Sequence, residues 1–351
     1  MLVVRAIKAD DLDALYYMAT QVGSGMTTLK PDMKMMGDRV AIAVASFAET
    51  IPPEKRDYMF VMEDTATGRI AGVCAIKGAV GLTEPFYNYR IGTLVHSSRE
   101  LDVFTRMETL YLSNDLTGST ELCSLFLHPD YRSGNNGKLL SKSRFLFIAQ
   151  FPHLFTEKLI AEMRGYQEEG GRSPFYEGLG RHFFKMDFDS VDDLTAVGKK
   201  SFIAELMPRQ PLYVAYLPQD AQDVIGKVHN STAPARRLLE QEGMYFEGYV
   251  DIFDAGPVLQ ARVSELRAMR ESGLAQIGPT TDWDAACAPE AGSEPVLVSN
   301  TVIKDFRMIL SQAVPVDGAI NLPEAEQKAL HCHTGDSVRT LSLNVRKNPN
   351  V

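Results

Sequence analysis

Cysteine is scarce and scattered. Cys74, Cys123, Cys287 and Cys332 form no CxxC pair, so neither a disulfide framework nor a zinc site is expected, and reduced thiols follow. His331-Cys332-His333 looks metal-like, but adjacent residues on a strand point to opposite faces and do not converge on one ion. No apolar run approaches the roughly 18 to 20 residues that span a bilayer. The start MLVVRAIKADD has no basic flank or cleavage site, so a soluble, cytoplasmic protein without a membrane partner is expected. Basic excess is also missing. A net charge of −9 argues against nucleic acid, because neutralising phosphates needs a concentrated basic face. It is compatible with a cationic substrate. There is no Rossmann fingerprint and no P-loop, since Gly137-Lys138 is followed by Leu139, which has no hydroxyl for magnesium.

What is present is a chain of 351 residues, 45% apolar, enough for a large core and more than one module. Residues 3–7 read as a strand. Asp10 then caps a helix with Leu12, Leu15, Tyr16 and Ala19 at helical spacing, and a second helix follows over 34–48. Residues 58–62 and 70–76 form a hairpin around a turn-rich loop. The segment 81–120 has aromatics but no clear period. Residues 122–127 are near-continuously apolar, as in a central strand buried on both faces. A helix over 138–149, a strand over 159–163 and a short helix over 174–179 come next.

Further on, 212–217 reads as a strand, a charged helix runs from Gly256-Pro257 to about Glu271, and 295–303 and 340–345 read as strands of a small β-rich tail. A faint internal echo, Ser173-Pro174 to Gly180 against Ala233-Pro234 to Gly243, each followed by aromatics, suggests two related halves. The expected fold is α/β (α+β), with mixed, mostly antiparallel sheets flanked by helices. Its divisions are 1–190, 191–270 and a C-terminal region 271–351.

The segment His128-Pro129-Asp130-Tyr131-Arg132-Ser133-Gly134-Asn135-Asn136-Gly137-Lys138 joins the buried strand to a helix. Small residues at Ser133, Gly134 and Gly137 let main-chain N–H groups approach an anion, and the helix dipole starting near Lys138 favours negative charge. Arg132 adds a charge-assisted contact to phosphate oxygens. An ordinary surface turn has the same composition, so these residues alone leave both readings open.

HPDYRSGNNGKLL resembles the diphosphate-binding motif of GNAT acyltransferases, with Asn135 standing where the first motif glycine is expected; Asn tolerates the left-handed conformation that a glycine would take there. Longer stretches, including PFYNYRIGTLVHSSREL, TLYLSNDLTGSTELCSLFLHPDYR and VIGKVHNSTAPARRLLEQEG, are similar to the arginine N-succinyltransferase family. That resemblance implies transfer of succinyl from succinyl-CoA to the α-amine of L-arginine in arginine breakdown, without a metal. It further implies acyl-CoA contacts at Leu125, Leu127, Arg132, Ser133, Gly134, Asn135, Gly137 and Lys138, with His229 as proton donor.

Without the resemblance, Leu125 reads as a core leucine, and His229 does not stand out from His96, His128 or His182. Candidate partners for the substrate's charged ends are residues 23–28, 84–90 and 113–115. A homo-oligomer is expected from the general frequency of oligomers. Two alternatives are another acyl-CoA N-acyltransferase, using ornithine or acetyl-CoA, and a non-catalytic acyl-CoA sensor.

Overall fold

The computed structural model describes residues 1–22, 26–196, 201–279 and 294–345. Among them the strands are β1 (Leu2–Ala6), β2 (Asp57–Asp64), β3 (Arg69–Lys77), β4 (Asn88–Ser98), β5 (Val103–Ser113), β6 (Thr120–Leu127), β7 (Lys158–Glu162) and β8 (Leu212–Tyr213). β9 (Tyr245–Val250), β10 (Pro257–Arg262), β11 (Gly273–Ile277), β12 (Val296–Asn300), β13 (Arg307–Ser311), β14 (Ala319–Ile320) and β15 (Ser337–Ser342) follow. They form one sheet in the order β14-β11-β15-β12-β13-β1-β2-β3-β6-β7-β10-β9-β4-β5-β8. Among the described residues, β6–β7 and β11–β14 pair in parallel and the other neighbours antiparallel. The expected class, a mixed and mostly antiparallel sheet flanked by helices, is what the chain adopts.

Helices α1 (Leu12–Thr20) and α2 (Met33–Phe47) cover one face of β2, β3 and β6. Met36, Val40, Ala43 and Phe47 recur on one side of α2 and are buried, and Asp32 caps it by accepting the Met35 N–H at 2.9 Å. Helix α3 (Asn136–Gln150) lies on the opposite face, buried without a break from Leu139 to Ala149. It is enclosed because α8 (Ala233–Gln241) and α9 (Arg267–Glu271) pack on its far side. Between α3 and α8 lie α4 (Arg181–Phe184), α5 (Phe188–Ala196), α6 (Ser201–Leu206) and α7 (Gln219–Val224). All four help build a separate core, through Phe184, Phe188 and Val191, Ile203 and Val224, with Tyr89, Phe175, Tyr176, Val250 and Phe253. Among the described residues, no helix is long and apolar enough to cross a membrane.

Several local expectations are corrected. Residues 81–120 hold a long hairpin, β4 paired with β5 from Asn88↔Ser113 to Ser98↔Val103; its period was hidden because most outer positions are only partly buried or exposed. After Leu212–Tyr213 pairs with β5, the chain coils at Val214–Tyr216 rather than continuing as a strand. Residues 257–262 form β10, buried between β7 and β9, leaving only Arg267–Glu271 helical; burial of Val258, Leu259 and Ala261 outweighs the charge pattern. Asp11, not Asp10, precedes α1, and its carboxylate takes both Nη1 and Nη2 of buried Arg5 at 2.7 and 2.8 Å.

A buried ion cluster locks α3 in place. Lys142 on α3 and Arg267 on α9 share the Glu242 carboxylate, with Arg267 Nη2 at 2.9 Å from Oε1, and Arg267 also donates to the Ser342 carbonyl of β15 at 3.2 Å. All three side chains are withdrawn from water, so removing one charge strands the others. Glu242→Gln is expected to lower unfolding free energy by about 3–5 kcal/mol, measured by urea denaturation. A change within experimental error contradicts this role.

Candidate active site

β6 and β7 pair at Thr120↔Leu159 and Glu121↔Ile160 and then separate. Beyond that point Leu122–Leu127 of β6 and residues 161–164 on the β7 side line a cavity of about 1130 Å³. On its other edge β6 is bulged. Phe126 faces Val73 and Cys123 faces Ala75, so Ser124 and Leu125 stand opposite a single β3 residue. Ser124 adopts φ +53, a strained conformation that needs outside support.

Arg39 of α2 supplies that support. Its Nη1 donates to Ser124 Oγ at 2.8 Å and to the Thr28 carbonyl, and its Nε to Asp57 Oδ2 at 2.6 Å. Leu125 is left without a ladder partner on either side.

The turn after β6 is built by its own side chains. His128 Nδ1 accepts the Asp130 N–H at 3.3 Å, Arg132 Nε donates to the Leu127 carbonyl at 2.9 Å, and Asn136 Nδ2 donates to the Tyr131 carbonyl at 2.9 Å. Gly134 takes the left-handed conformation, φ +54. Asn135 does not: it sits at φ −102 before α3, which begins at Asn136 rather than Lys138. The motif therefore keeps its left-handed residue, one position earlier than the resemblance suggests. A Cβ at Gly134 or Gly137 would meet nothing within 4 Å, and the first turn of a helix leaves N–H groups without helical acceptors. The surface in front of this turn is open and rich in donors.

Leu125, Leu127, Arg132, Ser133, Gly134 and Gly137 all line the cavity. Asn135 and Lys138 do not line it; Lys138 turns away and donates to Asn344 Oδ1 at 2.8 Å. His229 is half-buried on the β7 side, where its N–H donates to the Arg164 carbonyl at 2.9 Å and Val228 bridges to Gly165. Its Nδ1 accepts the Ser231 N–H at 3.2 Å and lies 2.7 Å from Ser231 Oγ, which puts the proton of the neutral ring on Nε2. Ser231 and Thr232 line the cavity, whereas His229 stands just behind them. Burial, and then the Arg164 charge, hold the imidazole pKa below its ordinary value.

The same cavity is lined by groups that the sequence did not single out. Lys30 pairs with Asp192 at 2.8 Å and Lys77 with Glu121 at 3.3 Å. Asp254 Oδ2 accepts the Gly165 N–H at 2.7 Å and Oδ1 the Gly256 N–H at 2.8 Å; burial and then neighbouring Asp251 push its pKa well up. Of the proposed substrate-binding segments, residues 23–25 lie outside the described residues. Met26, Thr28 and residues 84–87 line the cavity. Residues 113–115 do not, but Asn114 holds the 84–87 segment by donating to the Phe86 carbonyl at 2.6 Å.

Among the described residues, no three His, Cys, Asp or Glu side chains could hold a metal ion. His331 caps a helix, α10 (Glu324–Leu330), in the left-handed conformation and pairs with Asp305 at 2.6 Å.

If the turn grips phosphate, Arg132→Ala should weaken coenzyme A binding by about tenfold to a hundredfold, read by titration calorimetry. Unchanged affinity contradicts a phosphate contact at Arg132.

Residues 2–268 match the family described as "Arginine N-succinyltransferase beta subunit", and 285–342 match the one described as its C-terminal domain. The chain is 47% identical over 344 residues to the arginine N-succinyltransferase of Shigella sonnei (strain Ss046) and 46% identical to that of Escherichia coli O139:H28 (strain E24377A / ETEC). Each match covers 98% of both proteins. A solved structure of arginine/ornithine succinyltransferase subunit AI from Pseudomonas aeruginosa aligns with a TM-score of 0.88 at 32% identity, covering 98% of this chain and 99% of that one. With relatives alike in sequence from end to end and a solved fold that superposes along almost the whole length, the chain belongs to the arginine N-succinyltransferase family.

Proposed function

We propose that the chain transfers the succinyl group of succinyl-CoA to the α-amine of L-arginine, giving N2-succinyl-L-arginine and free coenzyme A. The observation that carries this reading is the parting of β6 from β7 beside an anion-ready turn, in a chain of this family. The main-chain N–H groups around Ser133, Gly134 and Gly137, with Arg132, bind the diphosphate. The pantetheine arm runs along β6, and the Leu125 N–H, without a ladder partner, polarises the thioester carbonyl and stabilises the oxyanion.

The amine nitrogen bonds to the carbonyl carbon, the carbon–sulfur bond breaks, and the amine's proton must travel to the departing thiolate. His229 moves that proton. It stands behind the cavity wall, so the Ser231 hydroxyl, 2.7 Å from Nδ1, links it to the reacting groups. A depressed pKa keeps the ring neutral and able to accept a proton near pH 7.

The same reading assigns the acyl-CoA turn to a module of residues 1–190, His229 to one of residues 191–270, and residues 271–351 to a smaller β-rich region. It places the enzyme in the cytoplasm as a homo-oligomer. A second acceptor, ornithine, is favoured by the Pseudomonas aeruginosa relative's description as an arginine/ornithine succinyltransferase subunit.

Release of coenzyme A, followed with a thiol reagent while succinyl- and acetyl-CoA are crossed with arginine, ornithine and lysine, tests the assignment. Succinyl-CoA with arginine should give the highest kcat/KM, and turnover restricted to acetyl-CoA sinks it. His229→Ala should lower kcat by about 10²- to 10⁴-fold. In the wild type, His229 must be neutral, and burial, then the Arg164 charge, holds its pKa below the ordinary imidazole value. Besides the acid limb set by the substrate's own α-amine, kcat should show a further fall on the acid side of the ordinary histidine range, and this second limb should vanish in the variant. Full turnover by His229→Ala contradicts the proton-transfer role.

A further inference from the structure

Six cationic side chains line the cavity: Lys30, Lys77, Arg39, Arg132, Arg144 and Arg164. Lys30, Lys77 and Arg39 have carboxylate partners within 3.3 Å. Arg132 is exposed at the phosphate turn and Arg164 is half-buried. Arg144 is the one buried member, 2% exposed, and like Arg132 and Arg164 it has no carboxylate within salt-bridge distance among the described residues; Arg164 Nη2 donates instead to Gln167 Oε1. The Arg144 guanidinium is held by one neighbour on its own helix, with Nε donating to the Ser141 carbonyl at 3.3 Å and Nη2 to Ser141 Oγ at 3.1 Å. Lys142, two residues earlier and equally buried, has Glu242. A buried charge without a counter-charge is costly, and of the two buried cations of α3 the fold supplies a carboxylate to Lys142 and leaves Arg144 facing a cavity.

Position says what that partner is. Gly137, Leu140 and Arg144 form one stripe of α3 along the cavity, so Arg144 lies roughly 10 Å beyond the phosphate turn along the helix axis. At that depth α3 packs on β3, where Cys74 Sγ lies 3.4 Å from the Leu140 carbonyl and 3.5 Å from Ser143 Oγ. Cys74 is the β3 residue between Val73 and Ala75, opposite the Ser124–Leu125 bulge. An acyl group whose carbonyl meets the Leu125 N–H and whose chain continues inward reaches the neighbourhood of this guanidinium.

Resting on the acyl-transfer reading above, we propose that Arg144 pairs with the terminal carboxylate of a dicarboxylic acyl donor and so selects succinyl-CoA over uncharged acyl-CoAs of similar length. A planar guanidinium is suited to bidentate carboxylate recognition, and a monocarboxylic acyl chain would leave it buried and unpaired.

The experiment compares kcat/KM for succinyl-CoA and butyryl-CoA, with arginine as acceptor, in the wild type, Arg144→Met, Arg144→Lys and Arg164→Met. If the wild type fails to use succinyl-CoA, the functional reading itself is wrong and the variants are not needed to show it. If it does use it, Arg144→Met should lower the succinyl-to-butyryl ratio about 100-fold, chiefly through succinyl-CoA. Arg144→Lys, which keeps the charge, should retain part of the preference, and Arg164→Met should keep the ratio. A parallel loss with both donors, as a structural role predicts, overturns the proposal, as does an unchanged ratio. Should Arg144→Met be insoluble, the Lys variant decides alone: a ratio identical to wild type, or a loss equal for both donors, overturns the assignment.

Discussion

The site depends on two strands that part. β6 and β7 share two residue pairs and then diverge, and a buried strand that gives up its ladder must have its main-chain groups and its bend supported by something else. Arg39 provides that support from outside the sheet: one guanidinium bridges the Ser124 hydroxyl, the Thr28 carbonyl and Asp57. The left-handed residue, the bulge and the unpaired stretch at Leu125 follow from this clamp. Helix α2 and the Thr28 segment thereby belong to the active site although neither carries the phosphate turn.

Charge inside the cavity follows a consistent pattern. Lys30, Arg39 and Lys77 are neutralised by carboxylates, which preserves structure without offering a free charge to a ligand. Arg132, Arg144 and Arg164 are held by carbonyl, hydroxyl or amide oxygens instead, so no carboxylate cancels their charges, and those of Arg132 and Arg144 are available to phosphate and carboxylate groups. The carboxyls of Asp251 and Asp254 are spent on main-chain N–H groups of the wall that carries Gly165 and, through its bridge with Val228, His229. The net charge of −9 says nothing of this, because composition does not reveal where charge is placed.

The core elements were legible because their patterns are strong. The apolar run at 122–127, the hairpin of β2 and β3, and the Gly-rich turn before α3 each carry a local signal that tertiary context did not override. The β4–β5 hairpin was hidden by its polar and exposed outer positions, and β10 was masked by the charged residues that follow it. Arg39, Asp57, Arg144 and Arg164 were not found in the sequence, since isolated charged residues on helices and strands read as solvated faces until a fold brings them together. The resemblance points to Asn135 for the left-handed role because motif order constrains backbone angles only loosely. The structure gives that role to Gly134.

A crystal structure of the chain with coenzyme A and arginine tests the central claim most directly. The account predicts the diphosphate within hydrogen-bonding distance of the main chain between Ser133 and Gly137, and the sulfur in the gap between β6 and β7 beside Leu125. A coenzyme bound elsewhere, or one whose thiol points away from Leu125 and His229, would contradict it.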